Sequence, residues 1–151
     1  MPHAADARAA DLTEIDGLAG AFFEAFTSGP DVAERLDRMR ASFLSGAVIV
    51  RTCGGSPTVY DVDGFIAPRQ ELLTGGSLVD FREWELSART EIFGDVAQRW
   101  STYAKSGVQD GKPFAGRGAK TTQYVRTPQG WRISALAWDD ERDGLSFEDQ
   151  E

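Results

Sequence analysis

Apolar residues recur at helical spacing in the first third of the chain and at alternating positions over its second half. Ile15, Leu18, Ala19, Phe22, Phe23 and Phe26 fall on one 3.6-residue stripe. Asp11-Leu12-Thr13-Glu14 precedes them, with one carboxylate placed to accept a free backbone N–H and a second, three residues on, able to reach back. A helix is therefore expected to begin at Asp11 and to stop at Gly29-Pro30. Asp31, followed by Glu34, opens a second helix with the stripe Val32, Leu36, Met39 and Phe43. Residues 47–50 read as a short buried strand, 53–57 as a turn and 58–60 as another short strand. Asp63 is expected to cap a third helix through Leu73; Pro68 delays its first turns and Gly75-Gly76 ends it. Four long strands follow over 78–93, 96–105, 114–127 and 131–139.

The turns between these strands predict which side chains share a face. Gly94-Asp95 suits a two-residue hairpin, which pairs Ile92 with Ala97, Ala88 with Ser101 and Leu86 with Tyr103. Thr127-Pro128-Gln129-Gly130 suits a turn with a glycine bulge, pairing Val125 with Ile133 and Gln123 with Ala135. One inner face is then expected to carry Trp84, Leu86, Ala88 and Ile92 with Trp131, Ile133, Ala135 and Ala137. Asp80, Arg82, Arg99, Ser101, Tyr103, Gln123 and Asp139 are its polar members. Polar groups on such a face must be paired, hydrated or turned into a cavity. Trp100, Tyr124, Leu136 and Trp138 fall on the opposite face. A patch of that size is rarely left to water, so a homodimer packed sheet to sheet through these four residues is expected.

The order helix, helix, strand, helix and four antiparallel strands resembles the nuclear transport factor 2-like superfamily, SnoaL-like branch. Gly94-Asp95-Val96-Ala97, Trp100-Ser101-Thr102-Tyr103, Gly130-Trp131-Arg132-Ile133 and Trp138 carry the resemblance, which runs roughly from Leu12 to Arg142. It implies an α+β cone: a strongly curved, antiparallel or mixed sheet wrapped around the N-terminal helices, with an internal cavity. The domain is read as 11–142, after a leader over 1–10 and before an acidic tail over 143–151. Members of this superfamily include isomerases, cyclases, dehydratases and epoxide hydrolases. No catalytic set of theirs transfers. Val50-Arg51-Thr52-Cys53 lacks the carboxylate that steroid isomerase-like members place there, and Ala135 and Ala137 stand where related strands carry histidines. Asp80, Arg82 and Asp139 do not match the order of the epoxide hydrolase set.

Composition narrows the chemistry further. The 151 residues carry a net charge of −8, which repels nucleic-acid backbones and anionic membranes alike. Cys53 is the one cysteine, so no internal disulfide forms and a reducing, cytoplasmic setting is expected. His3 is the one histidine and lies in the leader, which removes Ser-His-Asp, Cys-His and histidine–metal sites. Neither Asp139–Gly144 nor Tyr60–Gly64 places a glutamate at the closing position of a calcium loop. Residues 116–121 carry Ala119 where a phosphate loop needs glycine, and read as strand. No metal and no cofactor is therefore expected.

What remains is a small-molecule pocket on the inner face. Trp84 and Trp131 would wall it, Ala135 and Ala137 would leave it room, and Tyr103, Ser101 and Gln123 would supply hydrogen bonds. Asp80 with Arg82 or Arg99 would either pair structurally or, through the arginines, favour a carboxylate or enolate. Asp139 is the expected base and Tyr103 the second proton-transfer group. Two functions stay open: an acid–base enzyme acting on a small oxygenated apolar substrate, and a non-catalytic ligand-binding or dimerisation module.

Overall fold

The computed structural model describes residues 4–149; His3 lies outside the described residues. Three helices lead: α1 (Ala4–Glu24), α2 (Val32–Ala41) and α3 (Val62–Thr74). The strands are β1 (Phe43–Arg51), β2 (Thr58–Tyr60), β3 (Leu78–Phe93), β4 (Val96–Gln109), β5 (Lys112–Thr127) and β6 (Gly130–Asp140). They form one sheet in the order β2-β1-β6-β5-β4-β3. β1 runs parallel to β6 and every other pair is antiparallel. The α+β class and the mixed, open sheet match the expectation, and no helix is long and apolar enough to cross a membrane among the described residues.

The helix starts differ in instructive ways. α1 begins at Ala4, not Asp11, because Ala4–Ala10 contains only good helix formers and a compatible Asp6. Asp11 and Glu14 are thereby freed from capping and tie α1 to β6. The Trp131 indole donates to Asp11 (3.1 Å), the Trp131 backbone N–H to Glu14 (2.7 Å), and Arg126 grips Asp11 with both nitrogens. Asp31 sits at φ 67° and makes no side-chain cap. α3 is capped by Asp61, which accepts from the Gly64 N–H at 2.7 Å, while Asp63 pairs with Arg40 across to α2. Beyond Asp140 the chain folds back on the sheet: Arg117 on β5 holds Glu141 and Glu148, and Arg142 bridges to Leu145.

The core lies between the helices and the concave face. Phe22, Phe26 and Phe65 meet edge-on or tilted within 5.0–6.2 Å of one another. Ile15, Leu36, Met39, Ile49, Trp131 and Ile133 complete it, each nearly inaccessible. Phe23 joins this core as expected, whereas Trp84 does not.

Two bulges decide the faces. Glu85 pairs with Tyr103 and Ser87 with Thr102, so Leu86 is an extra residue. Ile92 and Ala88 keep their expected partners, but upstream of Leu86 the parity flips. Phe81, Glu83 and Glu85 turn inward, and Arg82 and Trp84 turn out. The bulge expected in the turn at 127–130 is absent, since Thr127 pairs with Gly130 and Val125 with Arg132 rather than Ile133. The extra residue on β6 is Ser134, with Tyr124 opposite Ile133 and Gln123 opposite Ala135. Trp131 and Ile133 remain inside. After the bulge Leu136, Trp138 and Asp140 face inward, and Ala135, Ala137 and Asp139 face outward.

Candidate functional site

The site is built where the inward residues of β4, β5 and β6 meet α3. A cavity of about 330 Å³ opens there. Its apolar walls are Phe26 from the end of α1, Phe65, Leu72 and Leu73 from α3, Phe81 from β3, Phe114 from β5 and Trp138 from β6. Six charged side chains share the lining: Arg51, Arg69, Glu83, Lys105, Lys120 and Asp140.

Lys120 is the deepest of these. β5 alternates Gly118, Lys120, Thr122 and Tyr124 inward, all buried. The Lys120 ammonium lies 4.0 Å from the ring centre of Phe22, 4.5 Å from Phe23 and 5.1 Å from Tyr103. Its carboxylate partner is Glu83, at 3.4 Å. Burial pulls the Lys120 pKa below the ordinary lysine value, with Glu83 opposing the shift.

Asp140 gathers the neighbouring donors. The Tyr103 hydroxyl donates to its Oδ1, Lys105 Nζ to its Oδ2 at 2.8 Å, and the Cys53 thiol to Oδ2 at 3.4 Å. Burial works against this charge, but the bonds from Lys105 and Tyr103 outweigh it and hold Asp140 below the usual aspartate value. Burial and then Asp140 push the Tyr103 hydroxyl far above an ordinary phenol. The same two causes raise the Cys53 thiol. Tyr103 reaches Asp140 only because residue 118 is glycine: a Cβ there would stand 2.5 Å from both Tyr103 Cζ and the Asp139 carbonyl oxygen.

Of the residues assigned to the pocket from sequence, the structure brings Tyr103 alone into this cavity, joined by Trp138, which was expected on the outer face. Asp139 lies on the outer face paired with Arg142, although its carbonyl accepts weakly from Tyr103 (3.4 Å). Its neighbour Asp140 takes the inward place because Ser134 shifts the parity. Arg82 and Trp84 stack on each other outside, 4.1 Å apart. Asp80 is exposed at φ 52°, in the irregular stretch between Val79 and Arg82. Gln123, Ala135 and Ala137 face outward. Trp131 is buried but bound to α1, away from the cavity.

Arg99 and Ser101 do point inward, into a separate and closed network. Arg99 holds Glu85 with two bonds (2.6 and 3.0 Å), Asp16 (2.6 Å) and Thr90 (2.9 Å), and Ser101 donates to Glu85 at 2.6 Å. Burial disfavours the Arg99 charge, yet Glu85 and Asp16 raise its pKa above an ordinary arginine. Arg99 is thus structurally paired, but with Glu85 and Asp16 rather than with the expected Asp80. The expected outer patch also dissolves: Tyr124 and Leu136 are core residues and Trp138 packs against the core, which leaves Trp100 half exposed.

The sequence reading missed Arg51, Arg69, Glu83, Lys105, Lys120 and Asp140. The available signal was parity with Tyr124, a large aromatic two turns of the pleat from Lys120. Taking Tyr124 as core would have placed Lys120 inside.

No family model matches the chain, and no curated protein sequence matches it. Solved structures do. A nuclear transport factor 2-like protein with a cystatin-like fold from Novosphingobium aromaticivorans superposes with a TM-score of 0.70 at 18% identity, over 95% of this chain and 90% of that one. A hexachlorocyclohexane dehydrochlorinase gives 0.72 at 16% identity, over 93% and 94%. A nuclear transport factor 2-like superfamily protein from Salmonella enterica gives 0.69 at 11% identity, over 93% and 98%. With its helices against the concave face and β1 parallel to β6, the chain has the nuclear transport factor 2-like, cystatin-like fold.

Proposed function

We propose that the chain is a SnoaL-like small-molecule-binding domain whose inner cavity performs acid–base chemistry of the isomerase, cyclase or dehydratase kind on a small apolar, oxygenated substrate. The observation that carries this is Lys120, a buried ammonium in the cavity lining with one carboxylate at 3.4 Å. Burial, opposed by Glu83, makes this ammonium readier to release a proton than an exposed lysine, which suits it to proton transfer with a substrate held in the cavity. Asp140 is ionised and fully engaged, so it holds Tyr103 and Lys105 in place rather than exchanging protons. The Tyr103 oxygen, its own proton committed to Asp140, offers a lone pair to a substrate hydroxyl. That one relative in fold is a hexachlorocyclohexane dehydrochlorinase supports the catalytic half of the reading.

The test is a fragment screen by ligand-observed NMR in D2O, followed by exchange of acidic C–H protons in the bound fragments. The expected result is binding to wild type with catalysed exchange, and binding without exchange in Lys120→Met. Exchange that persists in Lys120→Met removes the assigned base.

A non-catalytic binding module is the second reading. It is favoured by the mutual satisfaction of Tyr103, Asp140 and Lys105, whose pairing leaves no free acid or base among the three. We also propose a second copy of this chain as partner for the outer face, where Trp100 and Leu86 stand about half exposed.

A further inference from the structure

The cavity's charges do not balance. Lys105 is paired with Asp140 and Lys120 with Glu83. Both lining carboxylates are thereby used, and Arg51 and Arg69 are left over. Among the described residues neither arginine forms an ion pair. Glu83 acts on Arg69 only from longer range, and Arg51 and Arg69 repel each other.

Arg69 is nevertheless held in a fixed pose. Its guanidinium carbon lies 3.8 Å over the Phe65 ring, with Tyr60 and Trp138 at 5.5 and 5.6 Å. Its Nη1 donates to the Phe65 carbonyl, one turn back on α3, at 2.9 Å. A stacked, pre-oriented guanidinium loses little freedom on meeting a planar anion. Arg51 ends β1 in register with Trp138, which brings a second guanidinium to the same opening. In a chain of net charge −8, two unneutralised arginines at one apolar cavity form a local reversal of the molecule's field.

We propose that the cavity binds a small organic carboxylate, its anionic end between Arg51 and Arg69 and its apolar body against Phe65, Phe81, Phe114 and Trp138. This rests on the cavity being a ligand site and adds the class of ligand. It also moves anion recognition from Arg82 and Arg99, where the sequence pattern placed it, to two arginines that the fold leaves unpaired.

The experiment compares phenylacetate and 3-phenylpropionate with their primary amides, by calorimetry at low ionic strength. The proteins are wild type, Arg51→Gln, Arg69→Gln and the double variant, with Arg82→Gln on the outer face as control. Wild type and Arg82→Gln are expected to prefer each acid over its amide by about tenfold or more, the worth of a charge-assisted bond. Arg51→Gln and Arg69→Gln should each lower that preference, and the double variant should abolish it, with amide affinity changed less than about twofold. Arg51 is exposed, so its variant folds even if Arg69→Gln does not. Equal affinity of wild type for acid and amide, or a preference that survives the double variant, overturns the proposal while leaving a neutral-ligand cavity standing. Absence of binding by both acids and amides overturns the cavity reading together with it.

Discussion

Gly118→Ala is the sharpest test of the site's architecture. The added methyl would sit 2.5 Å from Tyr103 Cζ and from the Asp139 carbonyl oxygen, and closer still to the Tyr103 hydroxyl oxygen. Neither neighbour yields easily: the carbonyl belongs to the β5–β6 ladder, and the phenol is buried and bonded to Asp140. Replacing glycine by alanine in a strand gains about 0.5–1 kcal/mol of backbone entropy. Overpacking costs about 1–3 kcal/mol, and losing a hydrogen bond to a charged group about 1.5–3 kcal/mol. A net destabilisation of about 2–4 kcal/mol is expected, read as a lower urea midpoint with an unchanged slope. Gly116→Ala is the matched control on the same strand. Its methyl would meet the Lys105 Cε at 3.3 Å, the far end of a flexible side chain, and should move stability by less than about 0.5 kcal/mol. Adding Tyr103→Leu to Gly118→Ala should recover part of the loss. If Gly118→Ala costs less than about 1 kcal/mol, Tyr103 does not occupy the position that brings its hydroxyl to Asp140.

Arg99→Met should destabilise by about 1.5–3 kcal/mol in urea titrations, because it takes the charged bonds from the part-buried Glu85 while the half-exposed Asp16 turns to water, whereas Arg82→Gln on the outer face should be nearly neutral. Tyr103 and Tyr124 both have folded-state pKa values raised above the unfolded value of 10.0, chiefly by burial. Their contribution is complete below that pH and is lost as pH rises above it. Thermal melts of wild type should therefore fall above about pH 10, and Tyr103→Phe and Tyr124→Phe should each flatten that limb. Lys120→Met should leave Glu83 unpaired and lose stability at neutral pH, and Lys120→Met/Glu83→Gln should return to within about 1 kcal/mol of wild type, as replacing both partners of a buried pair generally does. For assembly, a dimer mass by light scattering at micromolar concentration that becomes monomeric in Trp100→Lys is the expected result, and a wild-type monomer would refute the proposed partner.

The element order and the core were legible because they depend on periodicity, which survives local irregularity. Phe22, Phe26, Leu36, Ile49 and Ile133 are buried as the stripes and alternation predict. The site was not legible because face assignment counts residues one by one. Leu86 and Ser134 each add one, so Trp84 and Arg82 on β3 and Leu136, Trp138 and Asp139 on β6 invert. Tyr124 and Lys120 on β5 invert because the turn at 127–130 carries no bulge and sets Tyr124, not Val125, against Ile133. That is why Asp139 was named in place of Asp140, why Tyr124, Leu136 and Trp138 were given to a dimer face, and why Lys120 was passed over. Arg51 and Arg69 were hidden for another reason. One ends β1 and the other lies on α3, and only the tertiary packing of α3 across the sheet brings them to one opening.

The two buried charge networks show how the fold separates support from site. Arg99 has its charged bonds answered by Glu85, which Ser101 also bonds, and by Asp16, and it links α1 to β3 and β4. A network so complete rigidifies the structure and leaves nothing for a ligand to do. Lys120 has the opposite character. Its pKa lies below the unfolded value of 10.5, so stability rises with pH between the two values, and at neutral pH the charge opposes folding. A methionine, with a neutral residue in place of Glu83, would fill the aromatic cage of Phe22, Phe23 and Tyr103 without that cost. A chain that keeps Lys120 there beside the single carboxylate of Glu83, with Arg69 and the exposed Arg51 unpaired at the same opening, holds a net positive cavity lining that folding alone does not require. An anionic ligand would supply the missing charge, so bound carboxylate should raise the stability of wild type through the same residues that lower it when the cavity is empty.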